Sequence, residues 1–152
     1  MKTEKDYEEL LGLLNKNRVK YCIVGAYAVA FHSMPRYTKD IDILIERTPE
    51  NAGRILKALN EFGFGSLHLS EKDFTEKERV IQLGYEPVRV DIITSISNLN
   101  FDEVWKNRKK GQYGRIKVNF IDLENLIKSK KISGRSRDKT DLEILEKRKK
   151  KQ

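Results

Sequence analysis

The reading of this chain turns on Val24-Gly25-Ala26-Tyr27-Ala28 and, a little further on, Arg36-Tyr37-Thr38-Lys39-Asp40-Ile41-Asp42-Ile43-Leu44. Residues two apart on a strand project to the same face. Asp40 and Asp42 therefore stand together, while Ile41 and Ile43 turn the other way into a core. Two neighbouring carboxylates repel each other and are costly to desolvate, so a positive partner is expected. Hard oxygen donors of this kind suit Mg²⁺ or Mn²⁺. An exposed edge strand with an acidic outer face would read the same way, and Asp-x-Asp alone does not separate the two. Upstream, the apolar run through Val24 stops at Gly25, and a helical stretch begins at Ala26. A strand, a glycine and a helix in that order present free backbone N–H groups to an anion such as phosphate. Gly25 also removes a Cβ from the approach.

Outward from this stretch, helical and extended patterns alternate. Residues 3–15 form an amphipathic helix with Tyr7, Leu10, Leu11 and Leu14 on one stripe, and Thr3 and Asp6 can make a capping box. A strand over 19–24 leads to Gly25, the helix over 26–31 is broken by Pro35, and a second strand covers 41–46. Thr48-Pro49 starts a helix bearing Ala52, Ile55, Leu56 and Leu59 at helical spacing, which ends at Gly63 and Gly65. A weak strand is expected over 64–69, and a polar loop or short helix over 71–78. Residues 80–83 and 87–94 read as paired strands joined by a turn at Gly84-Tyr85-Glu86. A helix over 101–108 carries the single Trp, Trp105. Gly111 and Gly114 flank a turn, a strand covers 115–121, and helices over 122–130 and 137–149 close the chain. Several neighbouring strands are too close for crossover helices, so the pattern predicts an α/β (α+β) domain with a mixed sheet flanked by helices.

The chain has 152 residues, 38% apolar and 36% charged. That length fits one domain, expected over 1–146, with a basic, flexible tail at 147–152. The apolar residues are periodic rather than dilute, which excludes disorder throughout. Cys22, the one cysteine, lies in an apolar strand and reads as a small buried hydrophobe; with His68 it is too sparse a set for zinc. No stretch is long and apolar enough for a membrane span, so a cytoplasmic protein without membrane contact is expected. Net charge is +8 but uneven. Residues 1–105 hold 14 Lys/Arg against 17 Asp/Glu, a net −3, and residues 106–152 hold 17 against 6, a net +11. A solvated lysine-rich surface and a polyanion-binding one both account for that shift.

Two further features join the acidic pair. Val88-Arg89-Val90-Asp91-Ile92 puts a carboxylate into an alternating apolar strand, on the face opposite Val90 and Ile92. Asp91 joins Asp40 and Asp42 if the two strands are neighbours. Late in the chain, Lys130 and Gly134-Arg135-Ser136-Arg137 supply cations that could neutralise a triphosphate.

Together these motifs resemble the nucleotidyltransferase superfamily of the polymerase-beta type, and within it the minimal AbiEii-like proteins of toxin–antitoxin and defence systems. The resemblance covers about Val19–Leu145. The family's Gly-Gly or Gly-Ser turn is matched by Gly25-Ala26, its Asp-x-Asp by Asp40 and Asp42, and its third Asp by Asp91. His32–Asp42 and the late Lys130, Gly134-Arg135, Asp138 and Asp141 also resemble the subgroup. Ala26 departs from the pattern: it keeps the backbone donor but offers no hydroxyl to a phosphate oxygen.

The resemblance implies attack by an acceptor hydroxyl on the α-phosphate of a nucleoside triphosphate, with pyrophosphate as leaving group. Asp40, Asp42 and Asp91 are then catalytic and metal-binding through Mg²⁺ or Mn²⁺. Gly25, Ala26, Arg36, Lys130 and Arg135 contact the nucleotide. The acceptor is expected to be RNA (tRNA by family analogy), a protein hydroxyl or a small molecule. The alternative is a non-catalytic nucleotide- or RNA-binding component of a toxin–antitoxin-like system, working through a partner protein. His32 is expected to be structural or substrate-orienting, and Asp138 and Asp141 to anchor Lys130 or Arg135.

Overall fold

A computed structural model describes residues 4–34, 38, 40–85, 88–133 and 136–151. Its elements run α1 (Lys5–Lys16), β1 (Tyr21–Val24), α2 (Gly25–His32), β2 (Asp40–Ile45), α3 (Pro49–Phe62), β3 (Val80–Tyr85), β4 (Val88–Ile93), α4 (Phe101–Lys106), β5 (Lys109–Tyr113), β6 (Ile116–Phe120), α5 (Leu123–Ser133) and α6 (Ser136–Lys150). The six strands form one mixed sheet in the order β3-β4-β2-β1-β6-β5. β1 is antiparallel to β2 and parallel to β6, β2 is parallel to β4, and the outer pairs β3–β4 and β5–β6 are antiparallel. This is the mixed, helix-flanked sheet that the sequence pattern predicts. Among the described residues no helix is long and apolar enough to cross a membrane.

The local signals explain most boundaries. α1 buries Tyr7, Leu10, Leu11 and Leu14. Its N-cap is Glu4, whose side chain makes no capping bond; the capping box expected from Thr3 lies outside the described residues. Thr48 caps α3 by accepting from the Asn51 N–H at 3.1 Å, Pro49 opens the first turn, and Gly63 closes the helix in the left-handed region. α1 and α3 pack together on the sheet face that carries Leu83 and Val90, where Tyr7, Phe62 and Phe64 line a small cavity of about 190 Å³. α2 packs beside β1 and β2 and meets α5 and α6.

Three expectations are corrected. The stretch 64–69 is not a strand: Gly65–Leu67 forms a 3₁₀ turn, and Phe64 packs against Phe62 with ring centroids 5.1 Å apart. Phe64 and Leu69 pack against the core from an irregular segment, while Leu67 is exposed. Gly84 and Tyr85 belong to β3 rather than to the turn. Gly84 lies opposite Arg89 at φ +77, where a Cβ would come within 2.6 Å of the Val88 carbonyl oxygen. Gly111 is likewise within a strand, β5, and only Gly114 marks the turn to β6. Gly111 lies flat against the stacked rings of Phe31 and Phe120. The polar stretch after Ser70 forms a 3₁₀ turn over Glu71–Phe74, closed by a reciprocal Ser70–Asp73 capping box.

Tyr7 ties the helical layer to β4. Its hydroxyl donates to the Arg89 carbonyl at 2.9 Å and accepts from the Arg89 N–H at 3.1 Å. Burial pushes the phenol up to about 12, so it stays a neutral hydroxyl. Tyr7→Phe removes both bonds and is expected to lower unfolding stability by about 1–3 kcal/mol. Urea unfolding checks this; an unchanged midpoint would show that other groups satisfy the Arg89 backbone.

Candidate active site

The acidic site follows from strand register. In the parallel β2–β4 pair, Asp40 is opposite Arg89 and Asp42 is opposite Asp91, with Ile41–Val90 and Ile43–Ile92 alternating between them. Register partners in a sheet share a face, so Asp40, Asp42, Arg89 and Asp91 stand on one side. Ile41, Ile43, Val90 and Ile92 are buried on the other. The strands are neighbours, as the grouping of Asp91 with the pair requires.

β1 brings the glycine turn to the same place. Val24 pairs with Asp42, and the next residue, Gly25, opens α2 at φ +67. A Cβ on Gly25 would collide with Asp42 Oδ2. The space freed by Gly25 is therefore filled first by the Asp42 carboxylate, not by a ligand. The N-cap of α2 is Val24, whose side chain makes no capping bond to the first N–H groups of the helix.

Electrostatics at the site are strongly coupled. Burial is the main force raising the Asp42 carboxyl, to about 6, followed by the charges of Asp91 and then Asp40; Lys130 and Arg89 oppose the shift. Arg89 forks onto Asp91, with Nε 3.1 Å from Oδ1 and Nη2 2.9 Å from Oδ2. Its Nη1 lies 3.7 Å from Asp40 Oδ2. The other Asp40 oxygen, Oδ1, is buried and has no hydrogen-bond partner among the described residues. Arg89 was not singled out by the sequence reading. Its position two residues before Asp91, hence on the same strand face, is the signal that could have found it.

Lys130 comes from α5. Its ammonium lies 2.7 Å from Asp138 Oδ1 and 3.5 Å from Asp141 Oδ2 on α6. It is nearly buried there, and its charge is felt at Asp42. His32, at the end of α2, bonds through Nε2 to the Ile121 carbonyl at 2.7 Å, a structural contact to the segment entering α5. Burial lowers its pKa, which keeps the ring neutral and the bonded nitrogen a donor. Arg36 and Arg135, the remaining expected nucleotide contacts, lie outside the described residues.

The donors fit a hard divalent cation in kind: carboxylate oxygens, one of them orphaned at Asp40. Among the described residues, however, no three His, Cys, Asp or Glu side chains are gathered closely enough to hold an ion. Arg89 turns both oxygens of Asp91 onto itself.

Comparison with known proteins gives a family and a fold. Residues 3–147 match the family model described as "Nucleotidyltransferase of unknown function (DUF6036)". Three solved structures share the fold. The Thermotoga maritima protein TM1012, a candidate nucleotidyltransferase, aligns at TM-score 0.62 and 18% identity over 91% of this chain and 89% of its own. The lincosamide antibiotic adenylyltransferase LnuA, solved with lincomycin, aligns at 0.56 and 17% over 95% and 96%. The antibiotic-resistance factor ANT(2'')-Ia aligns at 0.58 and 12% over 93% and 80%. Comparison with curated protein sequences gives no match. The chain has the nucleotidyltransferase fold. It belongs to the nucleotidyltransferase family of that model, which spans nearly all of its length.

The raised Asp42 carboxyl has a consequence for stability. Its folded value exceeds the ordinary one of 3.8, so its contribution is full below that value and is lost as pH rises through about 6. In chelator, Asp42→Asn is expected to match the parent near pH 4 and to exceed it by about 3 kcal/mol at pH 7.5. Unfolding the two proteins across pH 4–8 tests this. A difference that does not change with pH would place Asp42 among ordinary carboxylates.

Proposed function

We propose that this chain transfers a nucleoside monophosphate from a nucleoside triphosphate to a hydroxyl acceptor, with Asp40, Asp42 and Asp91 as its catalytic carboxylates. The observation that carries this reading is the β2–β4 register, which sets Asp42 beside Asp91 and leaves Asp40 two residues away on the same face. Asp42 in turn adjoins the Gly25 turn that opens α2. Burial raises the Asp42 carboxyl and the charges of Asp91 and Asp40 raise it further, a cost that a pure binding module has no reason to carry.

In the reaction, the acceptor oxygen bonds to the α-phosphorus while the bond to the bridging oxygen of the β-phosphate breaks. Pyrophosphate leaves with that electron pair, and the acceptor gives up its proton to solvent water. Asp40, Asp42 and Asp91 would hold Mg²⁺ or Mn²⁺, which supplies charge neutralisation on the phosphates and acidifies the acceptor hydroxyl. The backbone N–H groups at Gly25 and Ala26 favour a phosphate at the start of α2. Lys130, Arg36 and Arg135 are the cations assigned to the triphosphate and its leaving group.

RNA is the acceptor favoured by charge, since residues 106–152 carry a net +11. A small hydroxylated molecule is the competing acceptor, on the strength of fold neighbours named as a lincosamide antibiotic adenylyltransferase and as a complex with adenylyl-tobramycin.

The deciding experiment incubates the protein with each labelled nucleoside triphosphate, Mg²⁺ and either total RNA or a panel of small hydroxylated compounds. Label is expected to move to RNA in the parent protein and not at all in Asp42→Ala. Asp91→Asn should still bind the triphosphate in calorimetry but transfer it at least about a hundredfold more slowly. Chelator should abolish transfer. Wild-type turnover in Asp42→Ala would remove the acidic trio from the chemistry, whereas label found only on small molecules would overturn RNA alone.

A further inference from the structure

Arg89 stands among the three carboxylates yet takes no part in the transfer chemistry above. Its guanidinium spans Asp91 and Asp40, with bonds of 3.1 and 2.9 Å to the two Asp91 oxygens and an approach of 3.7 Å to Asp40 Oδ2. A two-pronged contact of this kind is specific to arginine, whose planar fork matches a carboxylate edge. Asp91 is the more buried partner, with its side chain 11% exposed against 30% for Arg89. The carboxylate is thus fixed in the wall, and the guanidinium reaches it from the open side. The Arg89 backbone is held by the Tyr7 hydroxyl at both its N–H and its C=O. On the far side of the fork, Asp40 Oδ1 is buried with no hydrogen-bond partner among the described residues.

These contacts place a cation where the site needs one. Three carboxylates on one sheet face would be strongly destabilising without compensation. A guanidinium forked across both Asp91 oxygens and a divalent ion compete for the same carboxylate edge and repel each other there. We infer that Arg89 is a built-in counter-cation that positions Asp91 and Asp40 in the metal-free protein and must let go of Asp91 before the trio can accept a divalent ion. The inference rests on reading the trio as a cation site. Only the fraction of molecules with Arg89 released is competent to bind, so Arg89 lowers the apparent affinity for the ion by that fraction. The protein is thereby protected from carboxylate repulsion at rest, and its metal site is made by exchanging one positive partner for another.

The test is Mn²⁺ binding to the full chain without nucleotide, followed by electron paramagnetic resonance and calorimetry at pH 7.5, together with the melting temperature in chelator. The variants are Arg89→Gln, Arg89→Lys and Asp42→Ala. Arg89→Gln is expected to bind Mn²⁺ about tenfold or more tightly than the parent, to melt lower in chelator, and to regain more stability than the parent on adding Mn²⁺. Arg89→Lys keeps the charge but not the fork, so its affinity should fall between the two. If Arg89→Gln does not fold, the Lys variant carries the comparison. Equal or weaker Mn²⁺ binding in the Arg89 variants, with Asp42→Ala losing it, would overturn the inference and leave the cation site standing. Absence of Mn²⁺ binding in the parent and in every variant would overturn both.

Discussion

The parallel pairing of β2 with β4 is the constraint on which the rest of this molecule depends. It fixes Asp42 against Asp91 and Asp40 against Arg89 in one register. A one-residue slip would send the carboxylates into the layer now filled by Ile41, Ile43, Val90 and Ile92, and bring those side chains out in exchange. The apolar face therefore enforces the acidic one. Four buried aliphatic residues on the core side make any other register far more costly than the repulsion among the carboxylates.

The remaining elements can be understood as support for that register. β1 pairs with the other edge of β2 and delivers Gly25 against the Asp42 carboxylate, at a spacing that no residue with a Cβ could tolerate. The left-handed backbone at Gly25 turns the chain at once from strand into α2. One glycine thus does two things: it lets a helix N-terminus start beside the acidic pair, and it lets Asp42 sit hard against the backbone. On the opposite face of the sheet, α1 fixes β4 through the Tyr7 hydroxyl. A side chain in the helical layer thereby sets the height at which Arg89 and Asp91 emerge.

Much of this was legible in the sequence because it is written in alternation. Asp40-Ile41-Asp42-Ile43 and Arg89-Val90-Asp91-Ile92 each state which face is polar, and Thr48-Pro49 and Gly63 mark the ends of α3. What alternation cannot state is pairing, so the meeting of Asp42 with Asp91 needed the sheet order. β5 was missed for a different reason. Its sequence Lys109-Lys110-Gly111-Gln112-Tyr113 buries only Tyr113, as expected for an edge strand kept polar, and its glycine imitates a turn. Gly84 misled in the same manner, being placed in β3 by a close backbone approach rather than by chain reversal. Arg89 was overlooked because arginine on a strand usually reads as solvent-facing. Its role appears only when the strand opposite proves to carry Asp40.

Compensation of the acidic trio reaches it from two structural directions. Arg89 comes from within the sheet, beside the carboxylates and on the same strand as Asp91. Lys130 comes from α5 and is held between Asp138 and Asp141 of α6, yet it still lowers the Asp42 carboxyl against the pull of burial. The two cations differ in a way that matters. Arg89 spends its donors directly on Asp91, so it can be exchanged there. Lys130 spends its closest contact on Asp138, so it acts on Asp42 through its field and stays in place whatever occupies the carboxylates. On the proposed reading, one exchangeable and one fixed positive neighbour would let the acidic centre stay folded when empty and still attract a polyanionic substrate when filled. The basic α5–α6 end of the chain thereby belongs to the same electrostatic design as the Asp-x-Asp strand more than eighty residues earlier.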